Sequence, residues 1–124
     1  MTTRRSLDVR VKRVHDPEEP DDGARVLVDR LWPRGISKER AALTAWDKDL
    51  APSTELRRWY GHDPARFEEF AERYRQELAD DERAAELARL RGLARTGRLT
   101  LLTATKDLPH GHVRVLVEAL RSGH

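Results

Sequence analysis

Leu7, Val9 and Val11 alternate with Asp8, Arg10 and Lys12, the period-two pattern of a strand with one wet face. Residues 7–14 are therefore predicted to lie at or near a sheet edge. From His15 to Gly23 the period is lost among prolines and acids, which predicts an exposed loop whose acidic run is solvated surface. Residues 25–31 then form a short apolar run, predicted as the central buried strand, and Pro33 with Gly35 stops it. Ser37 is placed to cap a short helix through Leu43. Residues 45–52 allow a brief strand. Ser53 caps a helix over 54–60, which Gly61 terminates.

Two longer helices follow. The first spans 64–79, with Asp63 as N-cap, Pro64 at its first position, and Phe67, Phe70, Ala71, Tyr74 and Leu78 as its apolar stripe. The second spans about 81–95 and repeats the spacing through Ala84, Leu87, Ala88, Leu90 and Leu93, with Gly97 as its stop. Residues 99–103 read as a second buried strand, and Val113, Leu116, Val117 and Leu120 mark a last helix by their spacing of three and four. Strands followed by helices predict an α/β fold: one small domain over residues 1–124, with a short, mostly parallel sheet flanked by helices. No internal repeat, low-complexity segment or linker interrupts it.

Composition narrows the classes of function. Charged residues make up 37% of the 124 and apolar ones 38%, no run approaches a membrane span, and the N-terminus carries no apolar stretch, so the expectation is a soluble, cytoplasmic protein. There is no cysteine, which excludes disulfides, thiolate nucleophiles and sulfur-ligated zinc. Lys and Arg number 24 against 22 Asp and Glu, so a nucleic-acid surface would have to come from local clustering rather than net charge. The glycine-rich dinucleotide fingerprint, the phosphate loop, the nucleophile elbow and the His-Glu-x-x-His motif are all missing. His110 and His112 lie two apart at the start of the last helix and do not point the same way. No metal site or cofactor is assigned.

The candidate chemistry gathers where the two buried strands end. After the first come Arg30, Arg34, Gly35 and the helix start at Ser37 and Lys38; after the second come Thr103, Thr105, Lys106 and Asp107. If the strands are parallel neighbours, both loops meet on one sheet edge, where helix N-termini and fixed cations favour a phosphate or carboxylate. Arg34, between a proline and a glycine, is the stronger candidate for ligand contact. Arg30 has the competing role of a salt bridge to Asp29, Asp47 or Asp49. Trp32 and Trp46 flank the region as packing groups or as platforms for a planar ligand. Asp29, Asp47 and Asp107 are the acids available for proton transfer, while His62 precedes Asp63, whose capping role is sufficient reason for its position.

These residues carry a resemblance. Val28-Asp29-Arg30-Leu31-Trp32-Pro33-Arg34-Gly35-Ile36-Ser37-Lys38, Trp46-Asp47-Lys48-Asp49-Leu50-Ala51-Pro52-Ser53, Glu55-Leu56-Arg57, Gly61-His62-Asp63-Pro64, and Leu99-Thr100-Leu101-Leu102 with Lys106-Asp107 together resemble the YeaO-like family, domain of unknown function 488. The resemblance covers nearly the whole chain. It implies a compact α/β domain and adds the Asp47-Lys48-Asp49 segment as a third wall of the site, but it brings no reaction with it. The stretch 108–112 departs from the family's pattern, so the resemblance gives His110 and His112 no role.

Three expectations follow. The first is a small enzyme or sensor that binds an anionic, phosphate-bearing molecule such as a nucleotide through Arg30, Arg34, Lys48 and Lys106, with Trp32, Gly35, Ser37 and Asp107 around it and Asp29 or Asp47 as acid or base. The second is a nucleic-acid module in which the same arginines contact backbone phosphate and Trp32 or Trp46 stacks on a base. The third is an ion-pair network that fixes the fold, with function in a protein partner.

Overall fold

Strand β4 (Leu99–Thr103) is buried at every residue, as a run of Leu and Thr with apolar cover on both faces requires. It lies inside a four-stranded, wholly parallel sheet of order β1-β4-β2-β3, in a computed structural model that describes residues 7–122. Strand β1 (Val9–Arg13) is the edge strand its alternation predicts, in register from Val9 opposite Leu99 to Arg13 opposite Thr103. Strand β2 (Ala24–Leu27) pairs with β4 on one side and with the two-residue β3 (Ala45–Trp46) on the other.

The predicted central strand of residues 25–31 is shorter than expected. Val28 still donates its backbone N–H to the Leu102 carbonyl at 3.1 Å, but β3 offers no partner beyond Trp46, so the ladder ends and the chain turns away at Asp29. Five helices complete the fold: α1 (Lys38–Ala41), α2 (Thr54–Tyr60), α3 (Phe67–Leu78), α4 (Asp81–Thr96) and α5 (His112–Ser122). Ser37, Ser53 and Asp80 accept the N-terminal amides of α1, α2 and α4 at 3.1, 3.1 and 2.9 Å, each offsetting an orphan donor. Asp63 caps a short 3-10 turn, Pro64–Arg66, that leads into α3. On α4 the buried face is Leu87, Leu90 and Ala94. Ala84 and Ala88 face solvent instead of the core, since a methyl group has little to gain from burial.

The two faces of the sheet differ. Val26, Leu99 and Leu101 join Phe70, Tyr74, Leu90 and Leu116 in the main core under α2 to α5, where the fully buried Tyr74 donates its hydroxyl to the Leu50 carbonyl at 2.5 Å. Leu27, Leu102, Val14, Ile36 and Ala41 form a smaller core under α1. Beside this smaller core lies a buried ion network that the sequence reading did not expect. Asp22, read as solvated, is only 5% exposed. It accepts from Arg25 Nη1 at 2.5 Å, from Lys12 Nζ at 3.1 Å and from the Glu19 amide at 3.0 Å. Arg25, 2% exposed, spends its other donors on the Ala41 and Ala42 carbonyls of α1. No described helix is long and apolar enough to cross a membrane.

Candidate functional site

Asp29 ties together the loops that leave β2 and β4. Its Oδ1 accepts the Thr103 hydroxyl and its Oδ2 the Ala104 amide, both at 2.7 Å. The parallel pairing of the two strands places these loops side by side, as the strand-end argument requires. The Asp29 carbonyl accepts the Trp46 indole N–H at 2.7 Å. Trp46 packs edge-on against Trp32, with ring centroids 5.3 Å apart, and Trp32 donates to the Ile36 carbonyl at 2.7 Å. Two indoles therefore brace the loop that bears Arg34.

The first residue of α5, His112, closes the floor. Its Nε2 is 3.0 Å from the Val28 carbonyl and 3.4 Å from Asp29 Oδ1, and its ring meets Tyr74 edge-on. Burial pushes the imidazole pKa down, against the pull of Asp29 and the Val28 carbonyl. At neutral pH it is therefore a neutral ring, with Nε2–H donated to the carbonyl and Nδ1 left as an acceptor.

Between these loops and α2 lies a cavity of about 270 Å³. One side is apolar, with Trp32, Pro52, Tyr60 and Phe70 among its walls; the Tyr60 hydroxyl donates to the His110 carbonyl at 2.6 Å, and Tyr60 stacks on Phe70 at 4.1 Å. The other side carries Arg30, Arg34 and Arg57, with Asp29 the sole carboxylate on the described wall. Arg30 does not take the salt bridge considered for it. Its Nε and Nη2 donate to the Pro52 and Ala51 carbonyls at 3.2 Å, so the guanidinium is held in place with its charge uncompensated by a carboxylate. Arg34 and Arg57 are exposed, and their side chains make no hydrogen bond or ion pair among the described residues. His62 reaches the wall from a turn in which Gly61 and His62 both have positive φ, 54° and 55°.

Of the residues singled out by sequence, Asp29, Arg30, Trp32, Arg34 and Thr105 share this cavity, as do His62 and His112, to which the sequence gave no role. The others lie outside its wall. Gly35 supplies the left-handed turn, φ 79°, that follows Arg34, and Ser37 caps α1. Asp47 reaches α4, where it pairs with Arg89 at 2.7 Å, and burial raises its pKa despite that partner. Lys48 sits over the Trp46 ring at 5.3 Å. Lys106 is exposed on the β4–α5 loop, and Asp107 pairs with His110 Nδ1 at 2.9 Å. Sequence reasoning gave no site role to Arg57 or Tyr60. Both come from α2, whose placement over the β2 end no local spacing announces. Among the described residues no group of three His, Asp or Glu side chains is placed to hold a metal ion.

Residues 8–123 match a family model described as the inactive DUF488-N3 subclade. An uncharacterized protein of Mycobacterium tuberculosis H37Rv is 50% identical over 116 residues, covering 94% of this chain and 96% of its own. Uncharacterized protein YeaO of Escherichia coli K12 is 45% identical over 116 residues, covering 94% and 99%. No solved structure matches. With the family model and both relatives spanning nearly all of the α/β domain, the chain belongs to the YeaO-like DUF488 family.

Proposed function

We propose that this protein binds a small anionic, phosphate-bearing molecule in the cavity at the carboxyl ends of β2 and β4, as a receptor and not as a catalyst. The observation that carries the reading is that Arg30, Arg34 and Arg57 line one half-apolar cavity, none of them with an ion-pair partner among the described residues. Cationic side chains gathered on one wall favour an anion beside them, to which guanidinium groups offer bidentate donors. The first residue of α5 at the floor adds the positive end of a helix.

Binding without chemistry is favoured by the state of the acids. Both oxygens of Asp29 are taken up by Thr103 and Ala104, and Asp47 is engaged with Arg89 outside the wall. The description of the family model as inactive agrees.

The test is a thermal-shift series on the wild type, Arg34→Ala and Arg57→Ala, with inorganic phosphate, phosphosugars, nucleotides and short single-stranded oligonucleotides, at low and moderate salt. A ligand bound only by the folded state raises the melting temperature. The expected result is a salt-tolerant rise with a small phosphate-bearing molecule that both variants reduce, while the unliganded variants melt as the wild type does. The proposal fails if no small anion shifts the melt, or if both variants respond as the wild type does. Binding of oligonucleotides alone, abolished by salt, would instead mark a surface contacting backbone phosphate.

A further inference from the structure

We infer that the cavity takes the phosphate monoester of a single planar ring, with the dianionic group among Arg30, Arg34 and Arg57 and the ring against Trp32, Tyr60 and Phe70. This rests on the anion-binding reading above and names the ligand class for the same site.

Three observations lead there. The first is charge: three guanidinium groups face one carboxylate on the described wall, leaving an excess of two positive charges. A phosphate monoester carries about −1.5 to −2 near pH 7, whereas a sulfate ester or carboxylate carries a single charge. Asp29 does not confront the ligand as a free anion, because Thr103 and Ala104 already donate to it at 2.7 Å.

The second is the fixed shape of the apolar half. The Trp32 indole is pinned to the Ile36 carbonyl, the Tyr60 hydroxyl is spent on the His110 carbonyl, and Tyr60 is stacked on Phe70. These aromatic walls are therefore preorganised, and their polar handles are not available to read a sugar or an amide. Such a surface selects a flat apolar body by contact area. The third is size. About 270 Å³ is on the order of nine water volumes at ~30 Å³ each, room for one ring and one phosphate group.

Calorimetric titration of the full chain with phenyl phosphate, phenyl sulfate and inorganic phosphate tests this. Phenyl sulfate keeps the shape with one charge fewer; inorganic phosphate keeps the charge without the ring. Phenyl phosphate is expected to bind at least about tenfold more tightly than either, since each comparison removes one charge-assisted or one stacking contribution. Arg57→Ala, whose side chain has no partner to lose among the described residues, is expected to weaken phenyl phosphate and inorganic phosphate alike. Equal affinity for phenyl phosphate and phenyl sulfate overturns the dianion assignment, and equal affinity for phenyl phosphate and inorganic phosphate overturns the ring. In both cases anion binding itself stands. If none of the three binds, this inference fails, while the anion-binding reading is overturned only when the wider thermal-shift series is also without a small-anion response.

Discussion

Replacing Asp22 with Asn isolates the buried ion network beneath α1, because it removes one negative charge while keeping the shape of the side chain. Asp22 and Arg25 are 5% and 2% exposed, so neither can turn to solvent when its partner is lost. In Asp22→Asn the guanidinium of Arg25 keeps only neutral acceptors, the Ala41 and Ala42 carbonyls and at most one amide oxygen, and Lys12 loses its inner carboxylate while keeping Glu19 at 3.1 Å. Leaving a buried charge uncompensated costs about 3–5 kcal/mol, a large part of the ~5–15 kcal/mol that holds a domain folded. At about 3–5 °C per kcal/mol for a chain of this size, the melting temperature falls by on the order of 10–20 °C.

The assay is urea and thermal unfolding of Asp22→Asn, Arg25→Met and the double variant. The double variant is expected to be more stable than the two single losses added together, because removing both charges leaves neither of the pair as an uncompensated buried charge. Added salt should not rescue Asp22→Asn, since buried pairs are poorly screened. Burial alone would raise the Asp22 carboxyl, but the Glu19 amide, Lys12 and Arg25 together hold its pKa below the ordinary value. Its contribution is therefore present in full above about pH 4, the unfolded value, and is lost as pH falls through the lower folded value. Asp22→Asn should lack that acid limb. A melting temperature within about 3 °C of the wild type, less than ~1 kcal/mol, would refute the reasoning, because it would mean that the network is hydrated or readily rearranged.

Three further outcomes follow from single contacts. In Gly23→Ala the new Cβ would stand 2.2 Å from the Arg98 carbonyl oxygen at φ +67°, so the β1–β2 connection must shift; a loss of at least ~2 kcal/mol in urea unfolding is expected. Tyr74→Phe strips the buried Leu50 carbonyl of its donor and should cost about 1–3 kcal/mol in the same assay, without changing affinity for any anion. Burial lowers the His112 pKa, so the unfolded chain binds the proton more readily. Stability should then fall as pH drops below about 6.5, and His112→Gln should flatten that slope in unfolding measured from pH 5 to 8.

The strand pair and its arginine-bearing loop were legible because their signals are local. The apolar run announces a strand and the Pro and Gly a turn, although the strand itself stops at Leu27, where β3 runs out; Arg30 and Arg34 lie on the loop beyond it and line the cavity. Helix caps at Ser37, Ser53 and Asp63 were legible for the same reason, each being a hydroxyl or carboxylate two or three residues from the amide it accepts. The pairs that decide the site's electrostatics are not local. Asp29 reads as a free acid at a strand end until Thr103 and Ala104, 74 and 75 residues later, take both its oxygens. Asp22 and Arg25 are only three residues apart, yet the burial that makes their pairing matter is imposed by α1 and by Thr100, which donates its hydroxyl to the Asp22 carbonyl at 2.6 Å. Arg57 looks like any polar residue on a helix face, since only the docking of α2 beside the β2 end brings it to the same cavity wall as Arg30 and Arg34. In this family fold the sheet edge is written in short-range pattern, whereas the charge balance of the cavity is set by contacts that form only once the sheet has closed.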